Sequence, residues 1–189
     1  DVDLFGYRWD DNSANLGVAY TFTNHVTIKP GESIICCEGI TAEQFKAWWG
    51  ETNLPPGLQV VSYVGNGLGL GSGGDQVNLW NQAATSSTDP IGKIAFISLS
   101  TATAGRTFVR NPDTGVFTGN NTTGLSTNGV NGGFIAAQFG DIGSPGWVVE
   151  PMTLHIAPNG SGFDLTFNST IERSYTVFYK NSVTDTAWS

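Results

Sequence analysis

Two adjacent carboxylates, Asp10 and Asp11, are the residues whose type and spacing point most directly to ligand chemistry. Asn12 and Asn15 follow closely, which makes this stretch rich in oxygen-bearing side chains. A hard cation such as calcium takes about six to eight oxygen ligands, so a calcium site is one interpretation. The spacing differs from that of an EF-hand, and Asp and Asn also form turns without any metal. Calcium binding and a purely structural turn are both open at this point.

The second candidate site is a tryptophan pair, Trp48 and Trp49. A capping-box pattern that begins at Thr41 predicts a two-turn helix over Ala42–Trp49, ended by the glycine that follows. On this helix Phe45, Trp48 and Trp49 have the i, i+3, i+4 spacing of one apolar stripe. We expect the stripe to pack on a sheet. The alternative is that Trp48 and Trp49 stack on a ligand such as a sugar.

Motifs of catalysis do not occur in the sequence. The histidines His25 and His155 are far apart, and neither belongs to an HExxH or HxH pattern. The glycine-rich stretch 65–74 has no GxSxG elbow and no Walker lysine, so we interpret it as a turn before a strand. Nothing in the sequence indicates a glycosidase-like carboxylate pair. We therefore expect a protein that is not an enzyme and uses no cofactor other than calcium.

Composition and charge narrow the class of protein. The chain has 189 residues, 39% of them hydrophobic, and its 8 Lys and Arg against 16 Asp and Glu give a net charge of -8. Direct nucleic-acid binding needs a basic patch, so we do not expect it. No apolar run approaches the roughly 18 to 20 residues of a membrane span. The 25 glycines and many Asn, Ser and Thr residues are typical of a turn-rich, all-β protein that is secreted or at the cell surface.

Strands are predicted wherever short runs of β-branched and aromatic residues lie between clusters of Gly, Asn, Pro and Asp. They cover residues 4–9, 18–22, 33–37, 59–64, 76–80, 91–97, 107–110, 152–156, 163–167 and 175–179. Alternation is clear in the later strands, where Phe163, Leu165 and Phe167 share one face. This pattern predicts half-buried strands around a core, with the Ala42–Trp49 helix as the exception.

The two cysteines, Cys36 and Cys37, are neighbours in a predicted strand. Adjacent strand residues point to opposite faces, so a bridge between them would be strained. We interpret both as small hydrophobic residues that are buried or half-buried. An intermolecular bridge or a redox role is the alternative.

Ordered blocks within residues 1–146 resemble those of bacterial lamin-tail domains. They are DLFGYRWDD at 3–11, IKPGESII at 28–35, the helix Ala42–Trp49, GGDQVNLW at 73–80 and the closing GDIGSPG at 140–146. The resemblance implies an immunoglobulin-like β-sandwich with one short helix. The first strand of that family has no counterpart here, which implies a sandwich whose open edge accepts a strand from another chain.

The end of the chain resembles a different module. Residues 173–182 and 184–188 are similar to the first half of a second β-sandwich found in secreted proteins of Verrucomicrobia- and Planctomycetes-like bacteria. We therefore expect a lamin-tail-like domain over 1–146, a linker over 147–151, and a partial second sandwich over 152–189, which forms a short antiparallel β unit.

These observations lead to two functional hypotheses. The first is a non-catalytic extracellular structural or adhesive module, a surface or filament subunit completed by strand donation. Its partners would be copies of itself or another β-sandwich protein. The alternative is a carbohydrate-binding accessory module of a larger secreted hydrolase, with cell-surface polysaccharide as its ligand and Trp48 and Trp49 as its platform.

Overall fold

The computed structural model describes residues 1–64, 68–89, 92–109, 124–148, 154–160 and 162–167. The chain divides into two compact units, Asp1–Glu150 and Pro151–Ser189, called unit 1 and unit 2 below. The strand predicted over 175–179 and the second resemblance, at 173–188, lie outside the described residues. Within the described ranges, no helix has the length and apolar character needed to cross a membrane.

Strands and one α-helix make up the regular structure. Unit 1 contains β1 (Val2–Asp3), β2 (Arg8–Asp10), β3 (Tyr20–Thr21), β4 (Thr27–Ile28), β5 (Ile34–Glu38), α1 (Ala42–Trp49), a 3₁₀ turn (Glu51–Asn53), β6 (Gln59–Tyr63), β7 (Asp75–Trp80), β8 (Lys93–Leu99), β9 (Phe134–Ile135) and β10 (Ile142–Gly143). Unit 2 contains β11 (Leu154–Asn159) and β12 (Gly162–Phe167). The prediction of an all-β fold with one short helix is confirmed.

The largest sheet is antiparallel and has the strand order β3-β2-β7-β8. Its central pair aligns Trp9 with Leu79 and Asp10 with Asn78, so these two pairs point to opposite faces of the sheet. The smaller antiparallel pairs are β1 with β4, β9 with β10, and β11 with β12.

The strands β5 and β6 pair in parallel, from Ile34 opposite Gln59 to Glu38 opposite Tyr63. Parallel neighbours need a crossover connection, and here α1 and the 3₁₀ turn supply it. Because the helix returns over one face of the pair while the large sheet covers the other, residues on both faces of β5 and β6 are buried or half-buried, and only Glu38 and Ser62 of the two strands are exposed. The nearly continuous apolar sequence of β5 follows from this arrangement.

Two hydrophobic cores lie on either side of the β5–β6 pair. The inner core joins the large sheet to the pair, and its buried members include Trp9, Phe22 and Tyr63. The Trp9 and Tyr63 rings meet edge to face at 5.1 Å between centroids. The helix core lies on the other side and includes Phe45 and Trp49 of α1.

Cys36 and Cys37 point into different cores, as their alternation along β5 predicts. Cys36 packs against the inner core and is half-buried, whereas Cys37 is buried in the helix core. Both thiols are free in the single chain, and it is their burial that agrees with the interpretation as small hydrophobic residues; the alternative of an intermolecular bridge or a redox role stays a prediction.

The helix begins where its capping box predicts. The Thr41 hydroxyl accepts a hydrogen bond from the Gln44 backbone N–H at 3.2 Å, and the Gln44 side chain accepts one from the Thr41 N–H at 2.8 Å. At the other end Gly50 adopts φ 85°, a left-handed conformation that glycine tolerates, and its N–H bonds to the Lys46 carbonyl. Local sequence therefore sets both helix ends.

Two strand predictions were wrong. Residues 4–9 do not form one strand, because Gly6 adopts φ 80° and the Tyr7 N–H bonds back to the Leu4 carbonyl, which makes a turn between β1 and β2. The described part of 107–110 makes an isolated bridge, Phe108 with Leu125, in place of a strand.

Candidate binding groove

An apolar groove of about 730 Å³ lies beside β5 in unit 1. On the strand side it is lined by residues 33–36, and elsewhere by residues 107–109 and 144–148 together with the three aromatic residues of α1. None of the described residues that line it is charged. We call this feature the β5 groove. Its size falls within the range of protein pockets that bind ligands.

The β5 groove follows the outer edge of its strand. Ile34, Ile35 and Cys36 point alternately to the two faces of β5, yet all three line the groove. A cavity that touches consecutive strand residues lies beside the backbone, not over one face. Among the described residues, β5 pairs with β6 alone. Within those residues, alternate N–H and C=O groups along its other edge therefore have no strand partner.

The helix supplies one polar group that lacks a partner in this region. Trp49 is only 4% exposed, and its indole Nε1 is buried without a hydrogen-bond partner among the described residues. A buried donor that stays unpaired costs about 1–3 kcal/mol.

The segment 140–146, the closing block of the lamin-tail resemblance, holds the groove in shape. Asp141 accepts a hydrogen bond from Trp48 Nε1 at 2.8 Å, and the Ser33 hydroxyl donates to the Gly146 carbonyl at 2.8 Å. At Gly143 any side chain would come within 2.6 Å of the Trp49 ring. The glycines and the aspartate of this block thus fasten α1 and the start of β5 to one another.

The structure separates the two members of the predicted tryptophan site. Trp49 belongs to the helix core, as expected of the apolar stripe, and its ring has no exposed face for stacking on a sugar. Trp48 is half-buried beside that core and lines the groove, while its indole nitrogen is already bonded to Asp141. Trp48 therefore remains the accessible aromatic residue of the pair.

The sequence motifs did not reveal the far side of the groove. Residues 107–109 belong to the strand predicted over 107–110. Residues 144–148 span the predicted boundary between the domain over 1–146 and the linker over 147–151, yet both stretches line this cavity. Trp147 lines it as well and donates from Nε1 to the Asn53 carbonyl at 2.9 Å. These contacts join parts of the chain that are distant in sequence, so no local sequence pattern predicts them.

Asp10 and Asp11, the calcium candidates, are buried and accept hydrogen bonds from the turn that follows them. The Asp10 carboxylate accepts from the Ser13 hydroxyl and the Asn15 N–H, both at 2.6 Å. The Asp11 carboxylate accepts from the Ser13 N–H at 2.9 Å. This geometry is that of side chains that brace a turn.

Two neighbours of these carboxylates were missed at the sequence level. Asp75 is buried and accepts from the backbone N–H groups of Asn12, Gln76 and Gly71. Asn78, fully buried, donates to the Asp11 carbonyl at 2.7 Å, and its side-chain oxygen has no partner in the described ranges. Among the described residues, no group of three or more His, Cys, Asp or Glu side chains is arranged to hold a metal ion. Calcium binding at Asp10 and Asp11 stays a prediction.

The remaining titratable candidates are Cys36, beside the groove, and His25, on the surface. Burial, followed by the nearby charge of Cys37, raises the pKa of Cys36 to about 11, so the thiol that lines the groove is protonated at neutral pH. His25 lies on the surface, stacked on Phe5 and 2.6 Å from Asp3. That hydrogen bond holds the pKa of the Asp3 carboxyl below its ordinary value.

Comparison of the chain with protein-family models, curated proteins and solved structures gave no match. The resemblance to lamin-tail domains therefore stays a prediction.

Proposed function

We propose that this chain is a non-catalytic, extracellular structural or adhesive module that assembles by accepting a strand along the outer edge of β5. The observation that carries the proposal is that the uncharged, apolar β5 groove runs along a strand edge with which none of the described residues pairs. Strand addition uses both features, because the backbone edge provides hydrogen bonds while the adjoining pockets accept alternate side chains.

The rest of the chain is compatible with a role in assembly. Edge strands in monomeric proteins are commonly protected by charges, prolines or bulges. The five residues of β5 include a single charged side chain, Glu38, at the last position of the strand, and no proline. The Cys36 thiol beside the groove is neutral at neutral pH, so it adds no charge there. The hydrogen-bonded carboxylates of Asp10 and Asp11 do not line the groove but brace a turn elsewhere in unit 1.

Hydrogen exchange combined with analytical ultracentrifugation tests the proposal. The protein is expected to self-associate with rising concentration, and the outward-facing amides of β5 should gain protection in the assembled fraction. The amides of β7, which has a paired strand on each side, serve as the internal control and should be protected throughout. A protein that stays monomeric at every concentration, or an assembly that leaves β5 exchange unchanged, would contradict the proposal.

Carbohydrate binding is the second candidate, and it has one observation in its favour. Trp48 and Trp147 both line the β5 groove, so two aromatic rings border a cavity large enough for a sugar. A glycan array with the wild-type chain and Trp147→Ala tests it. Saturable binding of a polysaccharide that the variant loses would support this function over strand addition, whereas an array without binding would exclude the glycans tested.

A further inference from the structure

The hairpin of unit 2 has one face made of apolar side chains. Strands β11 and β12 align Ile156 with Leu165 and Pro158 with Phe163, and Leu154 lies two residues before Ile156 on the same face. The alternate positions, His155, Asp164 and Thr166 among them, form a polar face. The hairpin is thus amphipathic along its whole described length.

This apolar face is exposed. Leu154, Ile156, Phe163 and Leu165 are 54%, 62%, 71% and 57% exposed, respectively. Among the described residues of unit 2 this sheet has two strands, and a two-stranded hairpin is at best marginally stable by itself in water unless its apolar face is covered. Contiguous apolar surface of this kind commonly marks an interaction site.

We propose that this hairpin is the strand donor, and that in a second copy of the chain it adds to the outer edge of β5, which has no strand partner among the described residues, and fills the β5 groove. The inference rests on the proposed function and names its partner. It makes the contact heterologous, since the hairpin of one copy meets the groove of the next, and such contacts build rings or open filaments.

The dimensions of the two surfaces agree. A strand rises about 3.3 Å per residue, so the six residues of β12 extend over about 20 Å and the five residues of β5 over about 17 Å. Alternate side chains of an added β12, those of Phe163 and Leu165, would point into the apolar part of the groove. Asp164, which lies between these two residues on β12, would then point away from the groove.

Charge favours the same pairing. Each copy carries a net charge of -8, so two copies repel one another over most of their surfaces. The described lining of the β5 groove contains no charged residue, and neither does the apolar face of the hairpin. Contact between these two surfaces therefore brings copies together where repulsion is weakest.

Two pairs of variants of the full chain test the donor and the acceptor separately. Leu165→Lys alters the apolar face of the hairpin, and Thr166→Lys, on the polar face of the same strand, is its control with an identical change in charge. Leu70→Arg alters the groove, since Leu70 lines it and is 54% exposed. Val64→Arg is the matched control, because Val64 is 85% exposed and does not line the groove.

Sedimentation and thermal unfolding are measured for each variant. Leu165→Lys and Leu70→Arg should each weaken self-association about tenfold or more, while both controls assemble as the wild type does. A mixture of Leu165→Lys and Leu70→Arg should form one-to-one dimers and nothing larger, because only one productive contact remains between the two variants.

The outcomes separate this inference from the proposed function. If Leu70→Arg prevents assembly and Leu165→Lys does not, β5 accepts a strand but the hairpin is not the donor. If neither variant affects assembly, both proposals fail. If Leu165→Lys only lowers the unfolding temperature, or if the hairpin crosslinks to the groove within a single chain at high dilution, the face is covered by its own chain and intermolecular donation is overturned.

Discussion

The indole Nε1 of Trp48 donates a 2.8 Å hydrogen bond to the carboxylate of Asp141, which lies 93 residues further along the chain. Backbone bonds reinforce this link, since the N–H of Gln138 donates to the Trp48 carbonyl at 2.9 Å and the N–H of Ala137 donates to the Trp49 carbonyl at 3.3 Å. The C-terminal end of α1 is thus held by the loop between β9 and β10, and the shape of the β5 groove depends on that attachment.

The first prediction concerns this bond. Trp48→Phe and Asp141→Ala should each lower the free energy of unfolding by about 1–3 kcal/mol, because a charge-assisted hydrogen bond to a half-buried group is lost. The double variant should lose about 1 kcal/mol less than the sum of the two, measured by urea denaturation. Strict additivity would show that the two side chains do not interact.

The second prediction concerns the helix cap. Thr41→Ala removes the acceptor for the Gln44 N–H and should destabilise unit 1 by about 1 kcal/mol in denaturant unfolding. Thr41→Ser keeps the hydroxyl and serves as the control, with a stability near that of the wild type. Equal stability of the Ala and Ser variants would contradict the role of this cap.

The third prediction concerns the closest approach of backbone to ring. A Cβ at Gly143 would lie 2.6 Å from the Trp49 ring and 2.8 Å from Thr107 Cγ2, so Gly143→Ala should cost about 1–3 kcal/mol. A Cβ at Gly73 would meet nothing within 4 Å, so Gly73→Ala should change stability little. Thermal unfolding of both variants gives the comparison, and equal melting temperatures would refute the predicted packing.

The fourth prediction concerns acid stability. Burial raises the pKa of Asp75, but the N–H donors of Gly71, Gln76 and Asn12 outweigh it, so the pKa lies below its ordinary value of 3.8. A lowered pKa in the folded state stabilises the protein above that ordinary value, and this stabilisation is lost as the pH falls. Asp75→Asn should therefore be less stable at neutral pH and approach the wild type in acid.

Urea unfolding of the Asp75 variant at neutral and at acidic pH measures this difference. A constant gap between Asp75→Asn and the wild type at all pH values would contradict the assigned role.

The fifth prediction concerns alkaline stability. Burial raises the pKa of Cys36 from 9.0 to about 11, so between these values the unfolded chain releases a proton that the folded chain retains. The free energy of unfolding should therefore fall as the pH rises from about 9 toward 11. Cys36→Val removes this titration and should show a shallower fall in urea unfolding. Identical slopes for the variant and the wild type would refute it.

Several features of the fold followed directly from local sequence. The side chains of Thr41 and Gln44, three positions apart, were sufficient to predict where α1 begins, because a capping box involves only neighbouring residues. The opposite orientations of Cys36 and Cys37 followed from the two-residue period of a strand. The all-β class with one short helix followed from composition and from the spacing of turn residues.

Only the tertiary structure determined the candidate site. The parallel pairing of β5 with β6, the bond between Trp48 and Asp141, and the position of residues 144–148 beside β5 all join parts of the chain that are distant in sequence. Such contacts arise because both faces of the β5–β6 pair must be buried at once, one by the large sheet and the other by α1. Local patterns indicate which residues favour burial, but they do not indicate which surfaces bury those residues or which strands pair with one another.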